Sequence, residues 1–441
     1  MLGKIACLTL PVVAETLATS LSGMFIIAMI GRFGAVEVAA AGLAMLLQTT
    51  VSLIVASAGT GAGALIAQAH GAGRIEDARR ICGQTVGVAV CLGVAAAVFC
   101  VLGIGRIIAL TVPDPPVVSL TVEFIGIAAL SLPFTAAAGV CLSALRAIGE
   151  TRAAMAVAVL GQAAALFLAY FMLFIARVGI HGAFSGLAAA QGLTFVLGLW
   201  AVGSKYTLTV GYRHIFALNR ALLRSIVKIG APAALEQIAL QGGRICCSLI
   251  MATAGAVQFA AHNVTLQVET IAFLPGMAFG ITAMTLVGNS IGGERPRRAR
   301  RYAWLTCLSG ACTVGAIAFF MYIFAGELTL FFIADPAVAA WGVGCVRVAA
   351  LQQVALAVSL CLPGALRGAG DTKSGMYVTL ISTWIFRIPL FLFLQYIGEF
   401  NVLRYWYCAF MDLTLRAVFY VFIVRKKDWG VPDGLNRRSG R

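Results

Sequence analysis

Glu15, Glu236, Glu269 and Asp412 each interrupt a long apolar run. A charge in hydrocarbon is costly, so such a carboxylate faces a protein interior or a water-filled cavity and is functional by default. Far from water, the charged form of a carboxyl group is disfavoured and the group can take up a proton. Once ionised, the same oxygen attracts a cation. Glu15 and Glu236 lie about ten residues into their runs, or ~15 Å along a helix at ~1.5 Å per residue, near the middle of a bilayer. Glu269 and Asp412 lie at similar depth, and Glu123 sits closer to the end of its run. Arg244, Arg347 and Arg387 interrupt runs in the second half only. They either neutralise Glu236, Glu269 and Asp412 or form an anion-attracting wall. Arg416 follows Asp412 by four residues, so the two share a helical face and are expected to pair. Glu236 leads as the group that carries an ion or senses a cation, with Arg244 two turns further along its face. The plainer alternative is that Glu15 and Glu236 pin their helices to a neighbour. No catalytic constellation accompanies these acids. His70, His181, His214 and His262 are scattered, no metal set or nucleophile elbow appears, and no Gly-x-x-x-x-Gly-Lys-Ser/Thr phosphate loop is present. Neither an enzyme nor an ATP-driven pump is expected.

The elements that would position these residues are transmembrane helices. The chain of 441 residues is 61% hydrophobic and only 11% charged, against ~25% charged in a soluble domain. Apolar runs of ~18 residues or more recur, each enough to cross the ~30 Å hydrocarbon core as a helix. Strand-forming alternation is absent, so a barrel is not expected. Twelve spans are expected, near 6–30, 38–69, 81–104, 118–145, 153–176 and 183–204, then 226–252, 258–290, 302–325, 338–366, 375–397 and 404–424. The first is expected to act as its own insertion signal. The net charge of +15 comes from short basic clusters between runs, which suits a membrane surface and not a nucleic acid. The twelve cysteines lie almost all inside runs, without zinc or redox spacing, and read as small apolar residues.

The two halves repeat. Pro11-Val-Val-Ala-Glu15 returns as Pro232-Ala-Ala-Leu-Glu236, 221 positions on. The same offset relates Gly34-Ala-Val to Gly255-Ala-Val, Gly59 to Gly280, Asp114-Pro to Asp335-Pro and Ala144-Leu-Arg146 to Ala365-Leu-Arg367. Chance similarity between apolar segments would not hold polar, Gly and Pro punctuation in register. Six spans per half is an even number, so the halves insert in the same orientation, as in transporters with parallel repeats. Basic residues cluster in alternate loops, at Arg74, Arg79 and Arg80, at Arg146 and Arg152, at Lys205 to Arg224, at Arg295 to Arg301 and at Arg425 to Lys427. By the positive-inside bias both termini are cytoplasmic. The expected division is a lobe at 5–204, a connector at 205–225, a lobe at 226–425 and a basic tail at 426–441. Gly59 to Gly63 and Gly276 to Gly280 read as small-residue faces for close helix packing, and Pro275, Pro363 and Pro389 as kinks.

Gly255-Ala-Val-Gln-Phe-Ala-Ala-His262, Leu286-Val-Gly-Asn-Ser-Ile-Gly-Gly293 and Leu366-Arg-Gly-Ala-Gly-Asp-Thr372, with Pro232 to Glu236 and first-half echoes at Gly31 to Gly34, Gln68 to Gly73 and Leu145 to Thr151, resemble the multidrug and toxic compound extrusion (MATE) family over roughly residues 5–425. The resemblance implies two six-helix lobes around a central cleft. It also implies antiport of small organic, cationic or amphipathic compounds against H⁺ or Na⁺, in the plasma (inner) membrane, by a monomer whose partners are its substrate and the bilayer. No cofactor beyond the coupling ion is expected. The chain departs from the family where an acid often precedes the first Gly-x-x-Gly turn, since Ile26 to Ile30 hold none, and Leu240-Gln241 and Leu356-Ala357 stand where the sodium-coupled branch places acids. Ala147 and Glu150 also soften the first-half loop motif. The alternative is a lipid-linked saccharide flippase or an exporter of an anionic metabolite, whose ligand the in-span arginines would suit.

Overall fold

The computed structural model describes residues 1–111, 114–204, 219–333, 335–397 and 401–430. Residues 205–218 of the expected connector (205–225) and 431–441 of the expected tail (426–441) lie outside them. Among the described residues every regular element is helical. In the first half these are α1 (Leu2–Ile30), α2 (Ala35–Gly71), α3 (Ile75–Thr111), α4 (Pro115–Ala129), α5 (Leu132–Ala147), α6 (Thr151–Tyr170) and α7 (Ile180–Ser204). The second half follows with α8 (Arg220–Ala252), α9 (Ala256–Gly292), α10 (Pro296–Ile323), α11 (Ala325–Phe332), α12 (Pro336–Gly368), α13 (Lys373–Leu380), α14 (Ile388–Ile397) and α15 (Val402–Lys426). Two π-helical turns, Phe171–Ile175 and Ile381–Arg387, extend α6 and join α13 to α14.

Each expected span coincides with helix. Ten are long and apolar enough to cross a membrane, and α4 with α5 makes an eleventh, bent by 47° at Leu130-Ser131. The span expected at 226–252 lies in α8, whose 33 residues reach ~50 Å. Its charges Arg220, Arg224, Lys228, Glu236 and Arg244 dilute its apolar character. Helix continues through Pro275 and Pro363, while Pro389 stands just after the second π-helical turn, where the backbone is already re-registered. Large apolar side chains point outward along the spans, among them Leu102, Phe167, Phe331 and Ile385. In water such a surface would be untenable; in a bilayer it is the solvent contact.

The chain forms two compact units. One comprises Leu10–Ala234, the other Met1–Thr9 with Leu235–Arg441. Small residues set the packing inside each. In the first, Gly59 lies against the backbone of Gly139 and Val140, joining α2 to α5. In the second, a Cβ on Gly280 would come within 2.6 Å of the Leu360 carbonyl oxygen, and Gly364 faces Gly280 in turn. This glycine face lets α9 and α12 touch backbone to backbone, which is how helices gain contact where hydrophobic driving force is missing. Ile5 and Leu8 of α1 join the second unit's core with Phe279 and Leu286, and Thr9 donates to Thr282 at 3.0 Å or accepts from it.

The Leu-Arg loops end their helices alike. Gly149 and Gly370 adopt φ +94° and +80°. Glu150 N–H donates to the Leu145 carbonyl and Asp371 N–H to the Leu366 carbonyl, both at 2.9 Å. This is the six-to-one closure of a glycine-capped helix end. The following acid caps only in the second half, where Asp371 accepts from the Ser374 N–H at 3.1 Å. Among the described residues the side chains of Glu150 and Thr372 make no capping hydrogen bond.

Candidate ion and substrate site

The in-span acids fall into two kinds. Glu15 and Glu236 are buried and each pairs with an arginine from the end of another helix. Arg146 bonds Glu15, and Arg367 donates to Glu236 Oε1 at 2.7 Å. The four residues are two pairs of repeat mates, so one ion pair is built twice. The second carboxylate oxygen of each, Oε2, has no hydrogen-bond partner among the described residues. Gly375 approaches Glu236 so closely that a Cβ there would sit 2.9 Å from Oε2. The sequence placed Arg146 and Arg367 in loops and looked to Arg244 beside Glu236. Arg244 is instead exposed. Eight residues on, it stands ~12 Å along the helix, beyond side-chain reach.

The second unit holds a polar cluster that the repeat does not duplicate. Asp412 is fully buried and accepts from Arg416 Nε at 2.9 Å and Nη2 at 2.7 Å. Arg416 Nη2 also donates to Thr383 at 2.7 Å. Arg387 Nη1 lies 3.7 Å from Asp412; its Nη2 donates to the Tyr405 hydroxyl, and its guanidinium stacks over the Tyr405 ring at 5.1 Å. Thr383, Trp384 and Arg387 all belong to the π-helical turn Ile381–Arg387, and Trp384 donates to the Ala239 carbonyl at 3.1 Å. The wide turn re-aims three side chains that a regular helix would spread around its axis.

Glu269, on α9, differs from the other three acids. Gln352 of α12 donates to its Oε1 at 2.7 Å, and it makes no ion pair among the described residues. Arg387 and Arg244 act on it electrostatically, and Gln353 also stands within hydrogen-bonding influence of it. The repeat mates of Glu269 and Gln352 are Gln48 and Ser131, and Gln48 Nε2 donates to Ser131 Oγ at 2.9 Å. The same contact thus occurs in both halves, charged only in the second. Two turns from Glu269 on the same helix, His262 is 1% exposed. It packs edge-on against Tyr405 with ring centres 4.9 Å apart, and 5.6 Å from Trp406.

Sequence reasoning missed Gln352, Gln353, His262 and Tyr405 because it followed formal charge. Adjacent glutamines in the run Val348 to Leu356 were the available signal. Arg347 points outward over the Tyr322 ring at 5.8 Å, so it neutralises none of the acids. His181, read as one of four scattered histidines, meets Glu123 at 2.8 Å, with both side chains about half exposed, at the start of α7 and in the middle of α4.

A helical membrane protein with buried acids and arginines on paired sets of six spans is a transporter in architecture. The chain belongs to the MatE family, whose domain matches twice, over residues 11–171 and 232–393. It is 27% identical to the probable multidrug resistance protein NorM of Thermotoga maritima over 96% of this chain and 92% of that protein. It is also 27% identical to the NorM of Deinococcus radiodurans over 92% and 91%. Among solved structures it resembles an outward-facing multidrug resistance MATE family transporter of the MOP superfamily, with TM-score 0.90, 17% identity and 96% of each chain covered. A MOP superfamily transporter from Pyrococcus furiosus, described as having a binding pocket of reversed polarity, superposes with TM-score 0.89 at 16% identity over 96% of each chain. The chain is therefore a multi-pass membrane transporter and not an enzyme.

Proposed function

We propose that this transporter exports small organic cations in exchange for protons, with Glu269 as the group that alternates between proton and substrate. One observation supports this above the rest: of the acids at 15, 236, 269 and 412, Glu269 is the one with no arginine in ion-pair contact among the described residues. Glu15, Glu236 and Asp412 would each have to break an ion pair to take up a proton, and breaking a buried pair is costly. Glu269 would break only a hydrogen bond to neutral Gln352. Ionised, it is a partly buried carboxylate with no ion pair among the described residues, balanced only at longer range by Arg387 and Arg244. Proton and cation then compete for one carboxylate, and that differential affinity is what couples their movements. The anion-exporting alternative loses support because Arg416 spends donors on Asp412 and Thr383, while Arg387 is held against the Tyr405 hydroxyl and ring beside Asp412. We also propose a division into six-helix lobes at 5–204 and 226–425, cytoplasmic termini and a plasma-membrane location, consistent with the basic loops.

Reconstituted protein in vesicles tests the coupling. Glu269→Gln keeps shape and bonding capacity but removes the titration. Substrate-evoked proton flux is expected to fall by roughly tenfold or more, and the pH dependence of export to flatten. Unchanged flux and pH profile in a normally folded Glu269→Gln protein would sink the proposal, and dependence on a Na⁺ gradient alone would sink its choice of ion.

A further inference from the structure

We propose that the second unit's site selects cations bearing N–H donors, that is protonated amines, over quaternary cations of the same charge; this rests on the cation-export reading above. The argument is an inventory of unspent hydrogen bonds. Gln352 Oε1, Gln353 Oε1 and both ring nitrogens of His262 are buried with no hydrogen-bond partner among the described residues. The relative exposures of these three residues are 1%, 0% and 1%, and buried polar atoms are ordinarily satisfied. The amide orientations follow from their partners. Gln353 Nε2 donates to the Ala349 carbonyl at 3.0 Å, and Gln352 Nε2 faces a carboxylate that can only accept. Both oxygens are therefore left as acceptors. A neutral imidazole supplies one more, and the Glu269 carboxylate has lone pairs beyond the one Gln352 uses. The unspent donors are Trp406 Nε1, Arg387 Nε and the one N–H of the neutral His262 ring.

Glutamine oxygens left as acceptors beside a carboxylate that makes no ion pair among the described residues match a ligand that brings a positive charge and N–H groups together. A quaternary cation brings charge without donors and is held instead by open aromatic faces. Here the Tyr405 face already carries the Arg387 guanidinium, and a His262 ring contact is packed perpendicular to Tyr405. Binding a quaternary cation would leave the glutamine oxygens unpaired, and sites built to hydrogen-bond a ligand reject analogues that lack the donor.

Calorimetric titration of the purified full-length protein with a matched pair tests this: N,N-dimethylbenzylamine, at a pH where it is protonated, against benzyltrimethylammonium. The protonated amine is expected to bind at least roughly tenfold tighter, and Gln353→Leu to reduce that ratio toward one. Equal affinities in the unmodified protein, or tighter quaternary binding, overturn the inference and leave proton-coupled cation export standing. Binding of neither cation overturns both.

Discussion

Removing the charge from Glu236 leaves Arg367 facing a neutral amide across a gap of 2.7 Å. The Glu236 side chain is nearly buried and that of Arg367 only partly exposed, so the arginine keeps most of its desolvation cost and loses its counter-charge. Glu236→Gln is therefore expected to lower stability by about 3 kcal/mol, read as earlier unfolding in detergent. Substituting Glu236→Leu and Arg367→Met together is expected to recover much of that loss. An unchanged midpoint in Glu236→Gln would show that the pair contributes nothing. Glu15 with Arg146 should behave alike. This pair was half legible in the sequence. The acids stood out because charge is rare in an apolar run. The arginines did not, because a Leu-Arg-x-x-Gly stretch at a helix end reads as an ordinary basic loop. The arginine reaches back from the end of α5 or α12 into the interior, and only the fold shows that reach. Both arginines recur with the acids at one offset, and that joint recurrence was the signal to follow. Glu294 was illegible in a different way. It takes φ +55° where its repeat mate Gly73 takes +72°, a conformation that would have argued for glycine.

Between elements, the loop that closes α12 is tied to the end of α15. Lys427 donates to Asp371 Oδ2 at 3.0 Å, and Ser374 donates to the same carboxylate through its N–H and its hydroxyl. Burial alone would raise the pKa of Asp371, but Lys427 and the Ser374 bonds outweigh it and hold the carboxyl below its ordinary value. A group whose folded pKa is depressed stabilises the fold above its unfolded value, about 3.9 for Asp, and that contribution fades as pH falls through the lower folded value. Asp371→Asn is thus expected to cost about 1 kcal/mol at neutral pH. The gap between variant and parent unfolding midpoints should close as pH drops below about 3.9. A gap independent of pH would mean that the asparagine disturbs packing and not charge. The spans themselves were legible because hydrocarbon demands long apolar helices. The bend between α4 and α5, the π-helical turns and the short α11 were not, since each depends on neighbours and leaves the mean apolar character of the run unchanged.

At the scale of the whole chain, the repeat makes a topological demand that can be tested position by position. If each half holds six spans, residues 221 apart lie on the same side of the membrane. If the halves were inverted, they would lie on opposite sides. Arg146 and Arg367 drop out of the charge count once seen as ion-paired, yet Arg80, Arg295, Arg297 and Arg298 remain exposed on alternate loops, as do Arg425 and Lys426. The positive-inside bias therefore survives the correction. Glu76 and Arg297 are repeat mates at two such loops, and Pro116 and Ala337 are mates at the opposite helix starts; all four are exposed or partly so. All twelve cysteines are free, with Cys7, Cys91 and Cys312 exposed, so labelling needs a background from which at least these three are removed. In intact cells an impermeant maleimide is expected to reach Pro116→Cys and Ala337→Cys, and to reach Glu76→Cys and Arg297→Cys only after permeabilisation. Labelling of all four positions with sides exchanged would reverse the orientation and keep the parallel repeat. Labelling of one member of either mate pair from outside and the other only from within would break the parallel repeat itself, and with it the inference that Gln48 and Ser131 are the uncharged counterparts of Glu269 and Gln352.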